Sequence, residues 1–338
     1  MQLGELKMKK IALVSTGGTI AMKKNGTGFA VPTAGAKELI GLVGAIKSVK
    51  NDIILEAIEF KNIPSAHLIL EDLVALRNLI TKLSYSGFAG IVITHGTDTM
   101  EETAYFLDLT VKLNIPVVLT GAQRNISALS SDMQLNIVDS VLTAADEGAL
   151  DKGVLIVFAS EILTAREATK THRTRTDTFK SMDFGPIGTV DNNRVIWTRK
   201  PLIRDIYEFD NFGKTKVDII LSYLGSDSRM LFNSLKDGVN GIVLQGLGAG
   251  HIPEPMIDGI KEAVSISIPV VLSSRTMKGR FLTNTYGFIG SEKYLRNIGV
   301  IFGEDLSSQK VRIKLLVLLA TNHSCKEICY EFEKNYYQ

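Results

Sequence analysis

The stretch over residues 90–100, GIVITHGTDTM, constrains the possible folds of this chain more than any other. Its first half, Gly90–Thr94, is short, apolar and rich in β-branched residues, which is typical of a strand buried on both faces of a parallel sheet. Residues 101–111 then show the apolar spacing of a helix that packs back onto that sheet. Because open α/β sheets bind ligands outside the carboxyl ends of their strands, we expect Thr97 and Asp98 to lie where a substrate is bound.

A second stretch, near the amino end, follows the same pattern. Residues 11–14 form a short apolar run, and the sequence STGGT follows at residues 15–19. Glycines allow the backbone to turn sharply and to approach a ligand closely with its N–H groups pointing inward. The chain therefore has two threonine-rich loops, each at the end of a predicted buried strand, that offer hydroxyls, a carboxylate and backbone donors.

These two loops resemble the two signature motifs of the bacterial-type L-asparaginases, the asparaginase/glutaminase family. Residues 16–21 read TGGTIA and residues 95–107 read HGTDTMEETAYFL, in the order expected for that family. Two long motifs placed in this way are far more specific than TGGT alone. The resemblance extends over nearly the whole chain, including GVIFGEDLSSQKVRIKLLVLL at residues 299–319, and it implies hydrolysis of an amide.

Thr16 is the predicted nucleophile. Amide hydrolysis through a covalent intermediate requires an activated hydroxyl, a proton relay and donors for the oxyanion. Taken alone, a loop threonine more often satisfies the amides of its own turn. The resemblance instead implies that Thr16, the first threonine of TGGT, attacks the substrate. Gly17 beside it, and Gly96 in the second motif, are predicted to contact the substrate.

Thr97, Asp98 and Lys170 are the other predicted catalytic residues. From the residues alone, Asp98 either caps the following helix or holds a substrate ammonium by charge-assisted hydrogen bonds. The resemblance implies that Thr97 is a second catalytic hydroxyl, activated through a lysine, and that Asp98 binds the α-amino group of the substrate. That lysine is Lys170, in the family-like segment TKT at residues 169–171. By itself it is one of many basic residues that are ordinarily solvated.

Several other positions are compared with the family residue by residue. Ser65 matches the serine that binds the α-carboxylate of the substrate, although His67 replaces the acidic residue that is usual two positions later. His95 is expected to be structural and to orient its own loop. Phe29 stands where the family has a flap tyrosine whose phenol assists the nucleophile. Proton transfer at Thr16 is therefore expected to use water or another residue, with low turnover or an altered pH dependence.

One motif lies in the carboxyl-terminal half. The segment GLGAGH at residues 246–251 resembles the family's glycine-rich segment that reaches the active site of a neighbouring subunit. Its glycines equally favour an ordinary strand-to-helix turn. The role of His251, which stands where an asparagine is common in the periplasmic branch, therefore stays open.

Length and periodicity predict a two-domain α/β protein. A single core rarely grows beyond about 250–300 residues, and this chain has 338. Alternating strands and helices predict a larger amino-terminal domain, residues 1–196, with a doubly wound, mostly parallel sheet. A linker is expected at 197–216 and a smaller α/β domain at 217–338. Residues 21–32 lack periodicity and are expected to form a mobile flap.

Charge and composition exclude several classes of function. The net charge is +2, from 38 basic and 36 acidic residues spread along the chain, so nucleic acid is not an expected partner. No run approaches the ~20 apolar residues that span a bilayer, and the first residues lack the apolar region and cleavage site of a signal peptide. A cytoplasmic location is expected, away from membranes. Cys325 and Cys329, on one face of a predicted helix, are expected to be reduced thiols.

The sequence therefore predicts an L-asparaginase that hydrolyses L-asparagine to L-aspartate and ammonia through an acyl-enzyme on Thr16. The resemblance implies a homodimer, or a tetramer of two such dimers, without metal or organic cofactor. The alternatives are a glutaminase-asparaginase, an ammonia-supplying subunit, or a non-catalytic amino-acid-binding homologue. Asparagine and glutamine differ by one methylene, which is worth only about 1–3 kcal/mol in a pocket. A Rossmann-type nucleotide binder is disfavoured because the chain lacks the GxGxxG fingerprint.

Overall fold

The structure is a computed structural model that describes residues 8–24, 30–32, 34–42, 50–112 and 114–334. The chain forms two compact units, Met1–Ile206 and Tyr207–Gln338. The division lies within residues 197–216, the predicted linker, and the exact domain boundaries stay a prediction. Each unit contains its own sheet and its own buried apolar core.

The first unit is built on an eight-stranded sheet and two separate hairpins. The strands are β1 (Lys9–Gly17), β2 (Met22–Lys24), β3 (Ala30–Pro32), β4 (Ile53–Ile63), β5 (Gly90–Thr94), β6 (Val117–Thr120), β7 (Val154–Phe158), β8 (Glu161–Thr164), β9 (Ala168–Lys170), β10 (Phe179–Ser181), β11 (Gly188–Asp191) and β12 (Arg194–Trp197). The order of strands in the large sheet is β12-β11-β8-β7-β6-β5-β1-β4. Its α-helices are α1 (Ala36–Leu42), α2 (Leu70–Ser84), α3 (Met100–Thr110) and α4 (Met133–Ala144).

Five strands of this sheet, β4, β1, β5, β6 and β7, run parallel, as the sequence predicts. Every residue of β5 is buried, which accounts for its unbroken apolar sequence. Within the sheet, β4 lies on one side of β1, and β5, which comes later in the chain, lies on the other side. The strand order therefore reverses between β1 and β5, and such a reversal opens a ligand-binding crevice at the carboxyl ends of the two strands.

The remaining strands, β8, β11 and β12, form an antiparallel edge that the sequence pattern did not reveal. Strands β7 and β8 are joined by Ala159 and Ser160, whose φ angles are 51° and 62°. Two successive residues with positive φ are typical of a tight hairpin turn, so β8 must return antiparallel to β7. The edge strand β12, Arg194–Trp197, ends at the first residue of the predicted linker.

The predicted flap at residues 21–32 contains regular structure. Strands β2 and β3 pair antiparallel, with Met22 opposite Pro32 and Lys24 opposite Ala30. Backbone pairing of this kind requires no apolar periodicity, which explains why the sequence pattern missed it. Phe29, at the expected tyrosine position, lies outside the described residues, so its predicted consequence stays a prediction.

The second unit has a parallel four-stranded sheet whose strands lie side by side in the order in which they occur along the chain. The smaller carboxyl-terminal α/β domain that the sequence predicts is therefore confirmed in its fold class. The elements are β13 (Val217–Leu221), α5 (Arg229–Lys236), β14 (Gly241–Gly246), α6 (Ile257–Ser265), β15 (Val270–Ser274), α7 (Glu292–Asn297), β16 (Ile301–Phe302), α8 (Ser308–Ala320) and α9 (Cys325–Glu333).

The two cysteines lie on α9, and both are free thiols. Burial raises the pKa of Cys325 and of Cys329, which favours the protonated thiols. Among the helices in the described ranges, none is long and apolar enough to cross a membrane.

Candidate active site

Thr16 lies at the carboxyl end of β1, and only 1% of its surface is exposed. Its Oγ1 donates a hydrogen bond of 3.1 Å to the main-chain oxygen of Thr94, the last residue of β5. The predicted nucleophile is therefore held against the second strand of the crevice. Gly17 and Gly18 follow with φ angles of 100° and 84°, in the left-handed region that glycine adopts without strain.

The glycines bring three chain segments into direct contact. A Cβ on Gly18 would lie 2.3 Å from Cα of Gly96, and a Cβ on Gly96 would lie 2.6 Å from Oγ of Ser65. Ser65 begins a short 3-10 turn after β4, and it is buried. Its main-chain oxygen accepts a hydrogen bond of 3.0 Å from the hydroxyl of Thr99. The loops after β1, β4 and β5 therefore meet at one point.

Lys170, Thr97 and Asp98 form one hydrogen-bonded group. Nζ of Lys170 is 2.8 Å from Oγ1 of Thr97 and 2.9 Å from Oδ1 of Asp98. The lysine side chain is 17% exposed and the aspartate side chain is 67% exposed, whereas Thr97 is buried. An ammonium donates to the hydroxyl, but a neutral amine can accept the hydroxyl proton across the same contact. This geometry therefore offers a proton route between Lys170 and Thr97.

Asp98 does not cap the following helix, although the sequence left that alternative open. Helix α3 begins at Met100, and its N-cap residue is Thr99. The carboxylate of Asp98 instead contacts Lys170 and is exposed to solvent. An exposed carboxylate in this position can accept hydrogen bonds from an ammonium group of a bound molecule.

His95 is completely buried, and its geometry supports the expected structural role. Its Nδ1 lies 2.7 Å from the main-chain oxygen of Gly96, and because a carbonyl oxygen only accepts, Nδ1 carries the proton. Burial lowers the pKa of His95 to about 4, and the hydrogen bond to Gly96 offsets part of this effect. The imidazole is therefore neutral near pH 7 and holds the loop in place.

Lys170 reaches the crevice because it lies on the hairpin formed by β9 and β10, where it pairs with Phe179. The preceding residue, Thr169, donates from its Oγ1 to the carboxylate of Glu101, a buried residue of α3. The sequence-based assignment missed Glu101 and Thr169. Both nevertheless lie inside the recognised motifs: Glu101 is three residues after Asp98 in HGTDTMEETAYFL, and Thr169 directly precedes Lys170 in TKT.

His251 lies in the second unit, where it packs edge-on against the rings of Tyr286 and Phe288, with centroids 5.2 and 5.0 Å away. Its Nε2 is 3.9 Å from Oε2 of Glu292. Its role toward a neighbouring subunit stays a prediction. Across the described part of the chain, no group of three or more His, Cys, Asp or Glu side chains is arranged to hold a metal ion.

Comparison with known proteins gives matches over almost the entire chain. The family model described as "Asparaginase, N-terminal" matches residues 10–203, and "Glutaminase/Asparaginase C-terminal domain" matches residues 216–332. An L-asparaginase of Bacillus licheniformis is 36% identical over 93% of this chain and 96% of its own length. A probable periplasmic L-asparaginase of Haemophilus influenzae is 34% identical over 96% of this chain and 93% of its own.

A solved structure is similar over the same extent. The crystal structure of a probable cytoplasmic L-asparaginase from Campylobacter jejuni superposes with a TM-score of 0.85 and 34% identity. The alignment covers 97% of this chain and 100% of that one. The two-unit architecture of this chain is therefore the architecture of that protein as well.

Proposed function

This chain belongs to the asparaginase/glutaminase family, and on that premise we propose that it hydrolyses L-asparagine to L-aspartate and ammonia. The observation that carries the proposal is the hydrogen-bonded group of Lys170, Thr97 and Asp98, which lies at the crevice whose other wall holds Thr16. Two hydroxyls, an amine and a carboxylate at one crevice suit acyl transfer from an amide.

In the first step, Oγ1 of Thr16 forms a bond to the carbon of the side-chain amide. The C–N bond then breaks, and ammonia leaves with the proton given up by the hydroxyl. The loop amides around Gly17 and Gly96 are proposed to stabilise the negative charge that develops on the amide oxygen. Since Phe29 has no hydroxyl, water or another residue accepts the proton of Thr16.

In the second step, water attacks the acyl-enzyme and restores the hydroxyl of Thr16. Thr97 and Lys170 are proposed to take a proton from the attacking water and to return it to Oγ1 of Thr16 as the bond between that oxygen and the acyl carbon breaks. The contact of 2.8 Å between Nζ of Lys170 and Oγ1 of Thr97 supports this relay. The products are L-aspartate and the free enzyme. This chemistry uses side chains and main-chain amides of the protein together with water, and it requires no metal or organic cofactor.

The charged ends of the substrate are assigned to two further residues. The exposed carboxylate of Asp98 binds the α-ammonium, and the hydroxyl of Ser65, packed against Gly96, binds the α-carboxylate. Glutamine is the alternative substrate, because one extra methylene changes binding by only about 1–3 kcal/mol. The description of the carboxyl-terminal family, which names both activities, favours testing the two amides in parallel.

The proposal extends to assembly and location. A homodimer, or a tetramer of two dimers, is proposed from the family resemblance. A cytoplasmic location is proposed because the similar solved structure is that of a probable cytoplasmic enzyme, although a periplasmic relative is also similar.

The proposed function predicts that purified protein releases ammonia from L-asparagine and that Thr16→Ala and Thr97→Ala each abolish the release. Each variant removes a hydroxyl that takes part in acyl transfer. A coupled ammonia assay with L-asparagine and L-glutamine in parallel measures both rates. Thr81→Ala, which removes a hydroxyl from helix α2 (Leu70–Ser84), is the matched control and should retain activity.

Two results would contradict this function. Calorimetric binding of asparagine without ammonia release would identify an amino-acid-binding homologue that has lost turnover. Release that persists in Thr16→Ala would mean that the nucleophile lies elsewhere.

A further inference from the structure

We propose that Glu101 and Thr169 are positioning residues that hold Lys170 against Thr97 and Asp98. The inference rests on the proposed function, because Lys170 needs a defined position only if it relays protons. Neither Glu101 nor Thr169 takes part in a step of the proposed reaction. Their hydrogen bond joins the hairpin that carries the lysine to the helix that follows Asp98.

The short strand that carries Lys170 is not sufficient by itself to hold the side chain in one position. Strand β9 has three residues and pairs with the equally short β10, and an isolated two-stranded ribbon is only marginally stable. Lysine also has a flexible four-carbon stem. Nevertheless its Nζ lies 2.8 and 2.9 Å from the two partner oxygens. Additional contacts must therefore limit the movement of the hairpin.

The base of the hairpin is fixed within its own region of the fold. The hydroxyl of Ser181, opposite Ala168, donates to the buried carboxylate of Glu167 at 3.2 Å. The same carboxylate forms an ion pair with Arg199. These contacts hold β9 and β10 together with the following segment, but they do not reach the loop that contains Thr97.

The contact between Thr169 and Glu101 supplies that connection. Glu101 lies in the first turn of α3, three residues after Asp98, and is only 8% exposed. A buried carboxylate is costly unless it accepts hydrogen bonds, and the hydroxyl of Thr169 provides one. Because α3 begins directly after the Thr97 loop, this bond sets the distance between the lysine and its hydroxyl partner.

Thr169→Val tests the inference, because valine keeps the shape of threonine but cannot donate. We expect kcat for asparagine to fall by about 10- to 100-fold, since a displacement of about 1 Å in a reacting group has effects of this order. KM should change less than about threefold, because Ser65 and Asp98 still bind the substrate. Thr169→Ser, which restores the hydroxyl, should recover kcat to within about threefold of the unmodified protein.

Thr171→Val is the matched control, with the same chemical change on the other side of Lys170. Its hydroxyl donates to the main-chain oxygen of Thr178 within the hairpin and does not bridge to α3 in the described structure. We expect kcat to stay within about threefold of the unmodified protein. Equal losses in Thr169→Val and Thr171→Val would show general weakening of the hairpin and overturn the inference.

Two further variants separate the positioning of Lys170 from an effect of charge and from an effect that bypasses the lysine. Glu101→Gln keeps an oxygen that accepts from Thr169, so its kcat should also stay close to that of the unmodified protein. If kcat of Glu101→Gln falls as far as kcat of Thr169→Val, the charge of Glu101 is responsible for the loss of activity, and the inference is overturned. In a Lys170→Met background, Thr169→Val should lower kcat no further, because a residue that acts through Lys170 has nothing left to position.

The failure of this inference is distinguishable from failure of the proposed function. If the unmodified protein releases no ammonia from either amide, the proposed function is wrong. If the unmodified protein is active and Thr169→Val retains its full kcat, the function stands and Glu101 and Thr169 have no positioning role.

Discussion

At the scale of single residues, the crevice depends on side chains that take no part in the chemistry. His95 is buried with a neutral ring, and Nδ1 donates to the oxygen of Gly96. Burial lowers the pKa of His95 from 6.5 to about 4. Between these two pH values, His95 is therefore mostly protonated in the unfolded chain and mostly neutral in the folded chain. Stability should therefore fall as the pH drops from 6.5 toward 4, by about 3 kcal/mol from this residue.

Denaturation by urea at pH 7 and at pH 4.5 measures this effect. The loss of unfolding free energy on acidification should be smaller in His95→Gln than in the unmodified protein, because glutamine does not titrate. His67→Gln, the same change at an exposed position, should leave the loss unchanged. An identical pH dependence in His95→Gln and the unmodified protein would show that His95 does not carry this linkage.

At the scale of elements, the contact between the β1 and β5 loops sets the spacing of the proposed catalytic groups. Gly18 has a φ of 84°, and its hypothetical Cβ overlaps backbone atoms of Gly96. Gly18→Ala should therefore lower the unfolding free energy by about 3 kcal/mol or more, since backbone strain and a backbone clash combine. Activity should be lost as the two loops separate.

Gly41→Ala is the control for this change. Gly41 lies in α1, and a Cβ there meets no atom of the described residues within 4 Å. Alanine should stabilise that helix by about 0.5–1 kcal/mol. Thermal unfolding of both variants gives the comparison, and a Gly18→Ala protein as stable as Gly41→Ala would contradict the close packing.

At the scale of the whole molecule, a protease should cleave the chain in the segment that connects the two units. Residues 198–216 contain no helix or strand, and Lys214 is exposed, so the backbone there is accessible to a protease. Limited trypsin digestion should therefore yield fragments that correspond to residues 1–214 and 215–338, which mass spectrometry can identify. Stable fragments with other boundaries would show that the compact units are not separate proteolytic domains.

The predictions from sequence succeeded where local pattern and local chemistry coincide. The strand at Gly90–Thr94 and the strand at residues 11–14, which extends over Lys9–Gly17 in the structure, were predicted because buried parallel strands are continuously apolar. The two loops were found because their glycines and threonines follow those strands directly. The hairpins β2–β3 and β9–β10 were missed because three-residue strands have no detectable period.

The sequence by itself determined the order of the elements, the crevice-forming motifs and the residue types available for the proposed acyl transfer, because these depend on local periodicity and on side-chain chemistry. Only the tertiary structure decided which groups meet. Lys170 and Thr97 are 73 residues apart and touch because a short hairpin packs beside α3. The bond between Thr169 and Glu101 likewise depends on register and packing, which no local pattern encodes.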